Sequence, residues 1–159
     1  MSTTGQPERH TQNRIVQLFR DQLHYDYFGN LEDNPNNSNI EVALLRKYLS
    51  SKGYSDTLIN TALDRLKTAA NNYERELYDN NKDVYQLLRY GVKVKEEAGD
   101  LTETVHLIDW KEPLKKHFAI AVEVTVHDSS ERRPEIVLYL NGSAIGVLEL
   151  KRRTVYSYA

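Results

Sequence analysis

Three charged side chains near the end of the sequence have the types and spacing of a metal-dependent hydrolytic site. Glu149 and Lys151 are two residues apart in an apolar stretch, so on a β-strand both point to one face. A second carboxylate, Glu135, stands just before another apolar run. Two carboxylates on neighbouring strands offer the oxygen ligands that Mg²⁺ prefers. A lysine beside them can position a water and offset phosphate charge, as metal-assisted phosphodiester hydrolysis requires.

The two carboxylates precede and follow Asn141-Gly142, a dipeptide typical of a tight hairpin turn. A strict two-residue turn would pair Glu135 with Leu148 and would turn Glu149 to the opposite face. Pairing Glu135 with Glu149 requires one extra residue in the turn or a bulge in one strand. We therefore predict a bulged hairpin, with Gly142 in the left-handed position of a three-residue loop.

Other charged residues have simpler structural interpretations. A Glu-x-Lys pair on a strand is most often a solvated charge pair that contributes little to stability. The same spacing recurs in Asp109-Trp110-Lys111, which leads into Pro113 and lacks a tight hairpin that would add a second acid, so we interpret it as structural. Glu8 is interpreted as a favourable charge at the positive end of the first helix. The five histidines show no metal-ligand spacing.

Helical periodicity in the first 90 residues gives way to strand alternation after Gly91. We predict helices around residues 15–23, 40–52, 55–66 and 83–90, and a loop over 29–38. We predict strands over residues 92–95, 105–108, 118–126, 136–140 and 144–150. This order indicates an α+β fold with an N-terminal helical layer packed on a mixed, mostly antiparallel sheet. Neither the helical part (1–90) nor the β-rich part (91–159) has two layers of its own, so we expect a single domain.

The composition excludes several classes of protein. The chain has 159 residues, 21 Lys and Arg against 23 Asp and Glu, and no Cys, which excludes disulfides, Cys-ligated zinc and a thiol nucleophile. No apolar stretch is long enough to span a bilayer, so we expect a cytoplasmic protein without membrane contact. Because the net charge is −2, nucleic-acid contacts must come from a local basic patch. Such a patch flanks the predicted site: Arg132, Arg133, Arg152 and Arg153.

The segment from residue 132 to residue 151, RRPEIVLYLNGSAIGVLELK, resembles the PD-(D/E)xK nuclease motif. It resembles specifically the N-terminal nuclease domain of the restriction (R) subunit of type I restriction-modification enzymes. The resemblance extends over nearly the whole chain and includes NSNIE at 37–41, LRYGVKV at 88–94 and VHLIDW at 105–110. The two core motifs are weak alone, and the hairpin and upstream blocks make the resemblance specific.

The resemblance implies roles for individual residues. Glu149 corresponds to a metal-binding carboxylate and Lys151 to the catalytic lysine. Glu135 occupies the position where the family usually has Asp, and Mg²⁺ would bind between Glu135 and Glu149 with help from the Leu150 carbonyl. The extra methylene of Glu135 can misplace the attacking water, so we expect reduced activity on the order of 100-fold.

The resemblance also implies partners and a second hypothesis. Double-stranded DNA would be the substrate, and methyltransferase and specificity subunits would complete the type I complex. ATP would bind only in a translocase region, because this chain contains no P-loop motif. We expect the chain to be an incomplete nuclease domain with a truncated restriction-endonuclease-like core. The alternative is a catalytically degenerate module that binds DNA or partner subunits without cleaving.

Overall fold

The computed structural model describes residues 6–33, 37–72, 74–97, 99–112, 115–125 and 133–150, with only the backbone given for residues 6 and 7. The chain divides into two units. The first unit takes its residues from Met1–Asn39, His117–Tyr139 and Ala144–Ala159, and the second from Ile40–Lys116 and Leu140–Ser143. The predicted change from helices to strands at Gly91 lies within the second unit. The two units therefore do not correspond to a helical half and a β-rich half.

The first unit contains a four-stranded sheet in the order β1-β4-β5-β6. Its strands are β1 (Asp26–Asn30), β4 (Phe118–Val122), β5 (Ile136–Leu140) and β6 (Ser143–Leu148). Strands β1 and β4 are parallel, whereas β5 and β6 are antiparallel because a two-residue turn joins them. The sheet is therefore mixed, as predicted.

Alternating side chains of β4 and β5 build separate apolar clusters on the two faces of this sheet. One cluster contains Ala119, Ala121, Val124, Val137 and Tyr139, with Phe28 packed against it. The other contains Ile120, Val122 and Ile136, and it packs against Val16, Ile15 and Phe19. Helix α1 (Gln6–Gln17) thus covers one face of the sheet, and the chain continues from it into a π-helical turn, Leu18–Gln22.

The β5-β6 hairpin closes with a two-residue turn, and both turn residues have positive φ angles, 49° at Asn141 and 85° at Gly142. The prediction of a three-residue loop is therefore wrong. The turn consists of Asn141 and Gly142 alone, and both adopt the left-handed conformation that a two-residue turn of this type requires. Side chains of β6 nevertheless pack against both of these apolar clusters. Ala144 packs with the cluster of Tyr139, whereas Leu148 packs with the cluster of Ile136 on the other face. Residues four apart share a face of a regular strand, so β6 contains an irregularity between them.

The second unit contains three helices and a two-stranded antiparallel sheet. The helices are α2 (Val42–Ser51), α3 (Asp56–Ala70) and α4 (Leu77–Tyr90), and the strands are β2 (Val92–Val94) and β3 (Glu103–Val105). Ser55 caps α3 by accepting a hydrogen bond from the Leu58 N–H, which confirms the predicted start of this helix. All five apolar residues predicted for α3 are buried: Leu58, Ile59, Ala62, Leu63 and Leu66.

Several predicted element boundaries need correction. The first 90 residues are not all helical, since β1 forms there through parallel pairing with β4. The first helix leaves regular α-geometry after Gln17, so Leu18 and Leu23 are exposed instead of completing its apolar stripe. Helix α4 begins at Leu77, earlier than predicted, and ends at Gly91 as predicted. Among the described residues, no helix has the length and apolar character needed to cross a membrane.

Candidate active site

The start of β5 places the Glu135 carboxylate beside the residues that follow β6. Glu135 Oε2 accepts a hydrogen bond of 2.7 Å from the backbone N–H of Leu150. The carboxylate therefore lies against the peptide that joins Glu149 to Leu150. A carboxylate has about four lone-pair positions, so this single hydrogen bond leaves it able to accept further ligands.

Gln12 on α1 links two parts of the sheet next to this carboxylate. Its Nε2 donates to Glu123 Oε1 at 2.8 Å and to the Glu135 carbonyl at 3.2 Å. Glu123 follows β4 with a φ of 51°, a conformation uncommon for residues other than glycine. Its backbone N–H donates to the same Glu135 carbonyl at 3.0 Å. The backbone of Glu135 is therefore held from two sides, and its side chain from a third.

Arg133 is engaged by carboxylates of its own unit. It forms an ion pair with Glu32 and a second one with Glu123, where Nε and Oε2 are 3.3 Å apart. Its side chain is 47% exposed, so the guanidinium retains access to solvent. The arginine predicted to contact DNA therefore also neutralises two acids of the site.

These side chains line one cavity of about 240 Å³ in the first unit. Its lining consists of four carboxylates, two guanidinium groups and two amides: Glu8, Glu32, Glu123, Glu135, Arg9, Arg133, Gln12 and Asn30. Acidic groups outnumber basic ones by two, so the cavity attracts a cation more strongly than an anion. Glu8 does stand in the first turn of α1, as predicted, but it also faces this cavity.

The Glu135 carboxylate is a ligand of the type that a hard divalent cation accepts. No cluster of three or more Asp, Glu or His side chains arranged to hold a metal ion occurs in the described part of the chain. Mg²⁺ does not require such a cage, because it usually keeps several waters and binds through one or two carboxylates. Glu135, Glu149 and the Leu150 carbonyl would supply oxygen ligands of that kind.

The structure describes some of the predicted site residues and not others. Glu149 is exposed and comes directly after β6, and Leu150 is partly buried. The catalytic lysine predicted at Lys151 lies outside the described residues. The predicted DNA contacts at Arg132, Arg152 and Arg153 also lie outside them, which leaves Arg133 as the described member of that group.

The second acid-x-Lys run, Asp109-Trp110-Lys111, has the structural contacts that we expected of it. It lies in a loop after β3, where Asp109 forms an ion pair with Lys52 at 2.8 Å. The other Asp109 oxygen accepts the backbone N–H groups of Lys111 and Glu112. The hydrogen bond from Lys52, followed by that from the Lys111 backbone, lowers the pKa of the Asp109 carboxyl below its usual value.

Sequence reasoning missed Gln12, Glu32 and Glu123 as neighbours of Glu135. One signal was available for Glu123, because it is the single charged residue in the apolar run from residue 118 to residue 126. A buried strand that is interrupted by one carboxylate indicates a site or an ion pair. Gln12 and Glu32 carry no comparable signal, since they reach the cavity through α1 and the turn after β1.

Comparison with known proteins agrees with the resemblance inferred from the motifs. Residues 5–159 match the family model described as type I restriction enzyme R protein N terminus. A curated relative from Methanocaldococcus jannaschii, named "Putative type I restriction enzyme MjaIXP endonuclease subunit", is 33% identical over 96 residues. That alignment covers 57% of this chain and 9% of the relative, so the chain spans a small fraction of that protein's length. No solved structure gives a significant match.

The family match includes both the cavity-lining residues of the first unit and the helices of the second. It also includes Glu135, Glu149 and Lys151, the three residues on which the sequence hypothesis depends. The chain belongs to the family of type I restriction enzyme R protein N-terminal domains.

Proposed function

We propose that this chain is the Mg²⁺-dependent endonuclease module of a type I restriction R subunit, and that it hydrolyses phosphodiester bonds in DNA. The observation that carries the proposal is the hydrogen bond from the Leu150 N–H to Glu135 Oε2. The Glu135 carboxylate thereby contacts the peptide that joins Glu149 to Leu150, although the turn between the strands has only two residues. This contact supports a site of the PD-(D/E)xK kind, in which carboxylates of two neighbouring strands would hold the cation.

Each proposed group has a distinct task. Glu135 and Glu149, with the Leu150 carbonyl, would hold the cation, which would supply positive charge at the scissile phosphate and activate a water. Lys151 would donate to a phosphate oxygen and stabilise the negative charge that develops in the transition state. The acidic excess of the cavity supports this order of binding, because a phosphate meets less repulsion once a cation has neutralised the carboxylates.

The proposed substrate and partners are those that membership of this family implies. The module would cut double-stranded DNA in the cytoplasm as part of a complex with methyltransferase and specificity subunits. ATP would act through a translocase region and not through this chain, which has no P-loop motif. Arg132, Arg133, Arg152 and Arg153 would position the DNA backbone by contacting phosphates, since the net charge of the chain is −2.

A plasmid-nicking assay with Mg²⁺ or Mn²⁺ tests the proposal. We expect Glu149→Ala and Lys151→Ala to reduce nicking by about 100-fold or more, because each removes a group that acts on the reacting phosphate. Glu135→Asp should raise nicking by restoring the length of the usual carboxylate. Glu103→Ala is the matched control, since Glu103 is an exposed glutamate at the start of β3 and should leave nicking unchanged.

A non-catalytic binding module is the second candidate function. The position of Glu135 where the family usually has Asp favours it. If neither the parent chain nor Glu135→Asp nicks DNA while both still bind it, the nuclease proposal fails and the binding module replaces it.

A further inference from the structure

A second cavity, in the second unit, combines aromatic rings with cationic side chains. Its volume is about 340 Å³, which is within the range of small-molecule sites. Tyr48, Tyr54 and Trp110 contribute rings, and Lys52, Arg89 and Lys111 contribute positive charge. The remaining lining residues are His106, Ile108 and Asp109. Because three cationic side chains face one carboxylate, the lining is positive in a chain whose net charge is negative.

Trp110 is held in place at this cavity and remains accessible. Its Nε1 donates to the Leu88 carbonyl at 3.0 Å, which fixes the plane of the indole. The guanidinium carbon of Arg89 lies 5.2 Å from the ring centroid, and Lys116 Nζ lies 5.0 Å from it. The side chain is nevertheless 46% exposed. The ordered indole thus has cationic groups of the chain over its ring and keeps part of its surface exposed.

Tyr48 also lines this cavity, whereas its hydroxyl oxygen is buried. It is buried against the backbone of Asp109, yet it makes no hydrogen bond of normal geometry to any described residue. Burial raises the pKa of Tyr48 above its usual value, so the hydroxyl stays neutral.

We propose that this cavity binds a nucleoside phosphate, with the base against the aromatic rings and the phosphate against Arg89 and Lys111. Cations select an anion, and tryptophan and tyrosine rings select a planar ring, so the lining recognises a ligand that carries both. The Lys52–Asp109 ion pair, at 2.8 Å, forms one wall of the cavity. The ligand is either a free nucleotide or an unpaired nucleotide within a strand. This binding goes beyond the proposed nuclease function and does not require cleavage.

Trp110 is the one tryptophan of the chain, so its fluorescence reports on this cavity directly. The full chain is titrated with dAMP, with deoxyadenosine, with inorganic phosphate and with a single-stranded oligodeoxynucleotide of about eight residues. We expect saturable changes with dAMP and the oligonucleotide, and about tenfold weaker binding of deoxyadenosine and of phosphate. Tighter binding of the oligonucleotide than of dAMP, per site, assigns the ligand to a strand, and equal binding assigns it to a free nucleotide.

Charge-removing variants locate the binding within the cavity. Arg89→Gln and Lys111→Gln should each weaken dAMP binding about three- to tenfold, as expected for the loss of one cation beside a ring and a phosphate. Lys82→Gln is the matched control, because Lys82 is an exposed cation on the same helix as Arg89 but away from the cavity lining. Calorimetry measures these affinities, since Arg89→Gln changes the surroundings of the fluorophore. Lys111→Gln leaves the contact between Arg89 and Trp110 in place and tests the proposal independently.

Three results would overturn the proposal. The first is an absence of saturable dAMP and oligonucleotide binding. The second is binding of inorganic phosphate as tight as that of dAMP, which indicates a simple anion site. The third is equal weakening by Lys82→Gln and Lys111→Gln, which indicates nonspecific charge attraction. Glu149→Ala separates this proposal from the nuclease one, because it should abolish nicking and leave dAMP binding unchanged.

Discussion

Glu135 is fixed by three hydrogen bonds that arrive from different elements. Gln12 on α1 and the Glu123 backbone both donate to its carbonyl, and the Leu150 N–H donates to its carboxylate. Two of these bonds hold the backbone of Glu135, and the third holds one oxygen of its carboxylate. In the proposed site, this order would favour catalysis, because the ligand would be positioned before the substrate arrives.

Gln12 is the residue whose role the sequence did not indicate, and it gives the first prediction. Gln12→Ala removes hydrogen bonds to Glu123 and Glu135, which should lower the free energy of unfolding by about 1 kcal/mol. We expect a larger effect on nicking, about 10- to 100-fold, because Glu135 loses its positioning contact. Urea denaturation and the nicking assay measure the two effects. Asn13→Ala, at an exposed position next to it on α1, is the control, and equal losses in both variants would contradict this role.

The ion pair between Lys52 and Asp109 gives a prediction for pH dependence. The hydrogen bond from Lys52 lowers the pKa of Asp109 below 3.8, and the hydrogen bond to Asp109 raises the pKa of Lys52 above 10.5. The pair therefore stabilises the fold between these values, and its contribution is lost as the pH falls through the lowered pKa of Asp109. Asp109→Asn should be less stable than the parent at pH 7, and the difference should shrink near pH 3.

Urea denaturation at both pH values measures this difference. Asp64→Asn, at an exposed position on α3, is the control and should show no comparable pH dependence. A stability difference for Asp109→Asn that stays constant from pH 7 to pH 3 would show that the ion pair contributes nothing.

At the scale of the elements, the β5-β6 hairpin shows which local signals are sufficient. Asn141-Gly142 specified the turn, because both residues tolerate positive φ angles. We predicted an extra residue in the turn or a bulge in one strand only because the proposed site needs both carboxylates on one face. The two-residue turn does not supply that extra residue. Gly146 lies in β6, where a Cβ atom would be 3.6 Å from Leu138 Cδ1.

The two glycines of this hairpin should respond differently to alanine. Gly142 has a φ of 85°, and a Cβ atom there would lie 2.7 Å from the Glu41 carbonyl oxygen. Gly142→Ala should therefore lower the free energy of unfolding by about 1–3 kcal/mol, because the conformation is strained and the space is filled. Gly146→Ala is the matched control and should change it by less than about 1 kcal/mol. Urea denaturation compares the two, and similar losses would contradict the turn geometry.

Local sequence patterns predicted the elements whose stability comes from residues of a single segment. Helix α3 was predicted from Ser55 and its apolar stripe, since a cap and an amphipathic face are properties of one segment. Strand β1 was missed because its stability comes from parallel pairing with β4, about 90 residues away in the sequence. The cavity was predicted only in part for the same reason. Glu135 could be predicted because it belongs to a sequence motif. Gln12 and Glu32 could not, because only the folded structure brings α1 and the turn after β1 to the same cavity.

At the scale of the whole molecule, the charge distribution would decide how the chain contacts DNA in the proposed function. The net charge is −2, so no long-range attraction draws the chain to DNA as a whole. The cavity around Glu135 has an acidic excess, and the sequence on either side of the hairpin is arginine-rich. DNA binding should therefore depend on a few phosphate contacts made by these arginines and on a cation between the acids and the phosphate.

This dependence predicts a modest effect of salt on affinity for duplex DNA. With about two to four phosphate contacts, the logarithm of the binding constant should fall against the logarithm of salt concentration with a slope of about −2 to −4. The double variant Arg152→Gln and Arg153→Gln should reduce this slope by about 2, because each arginine neutralises one phosphate. Fluorescence anisotropy with labelled duplex DNA in Ca²⁺, which supports binding with little cleavage in many Mg²⁺ enzymes, would measure it. Lys93→Gln with Lys95→Gln is the matched control, since both lysines are exposed at β2 and line neither cavity. If the control pair reduces the slope as much as the arginine pair does, then DNA binding is a diffuse charge effect, and the arginines beside the hairpin do not position the substrate.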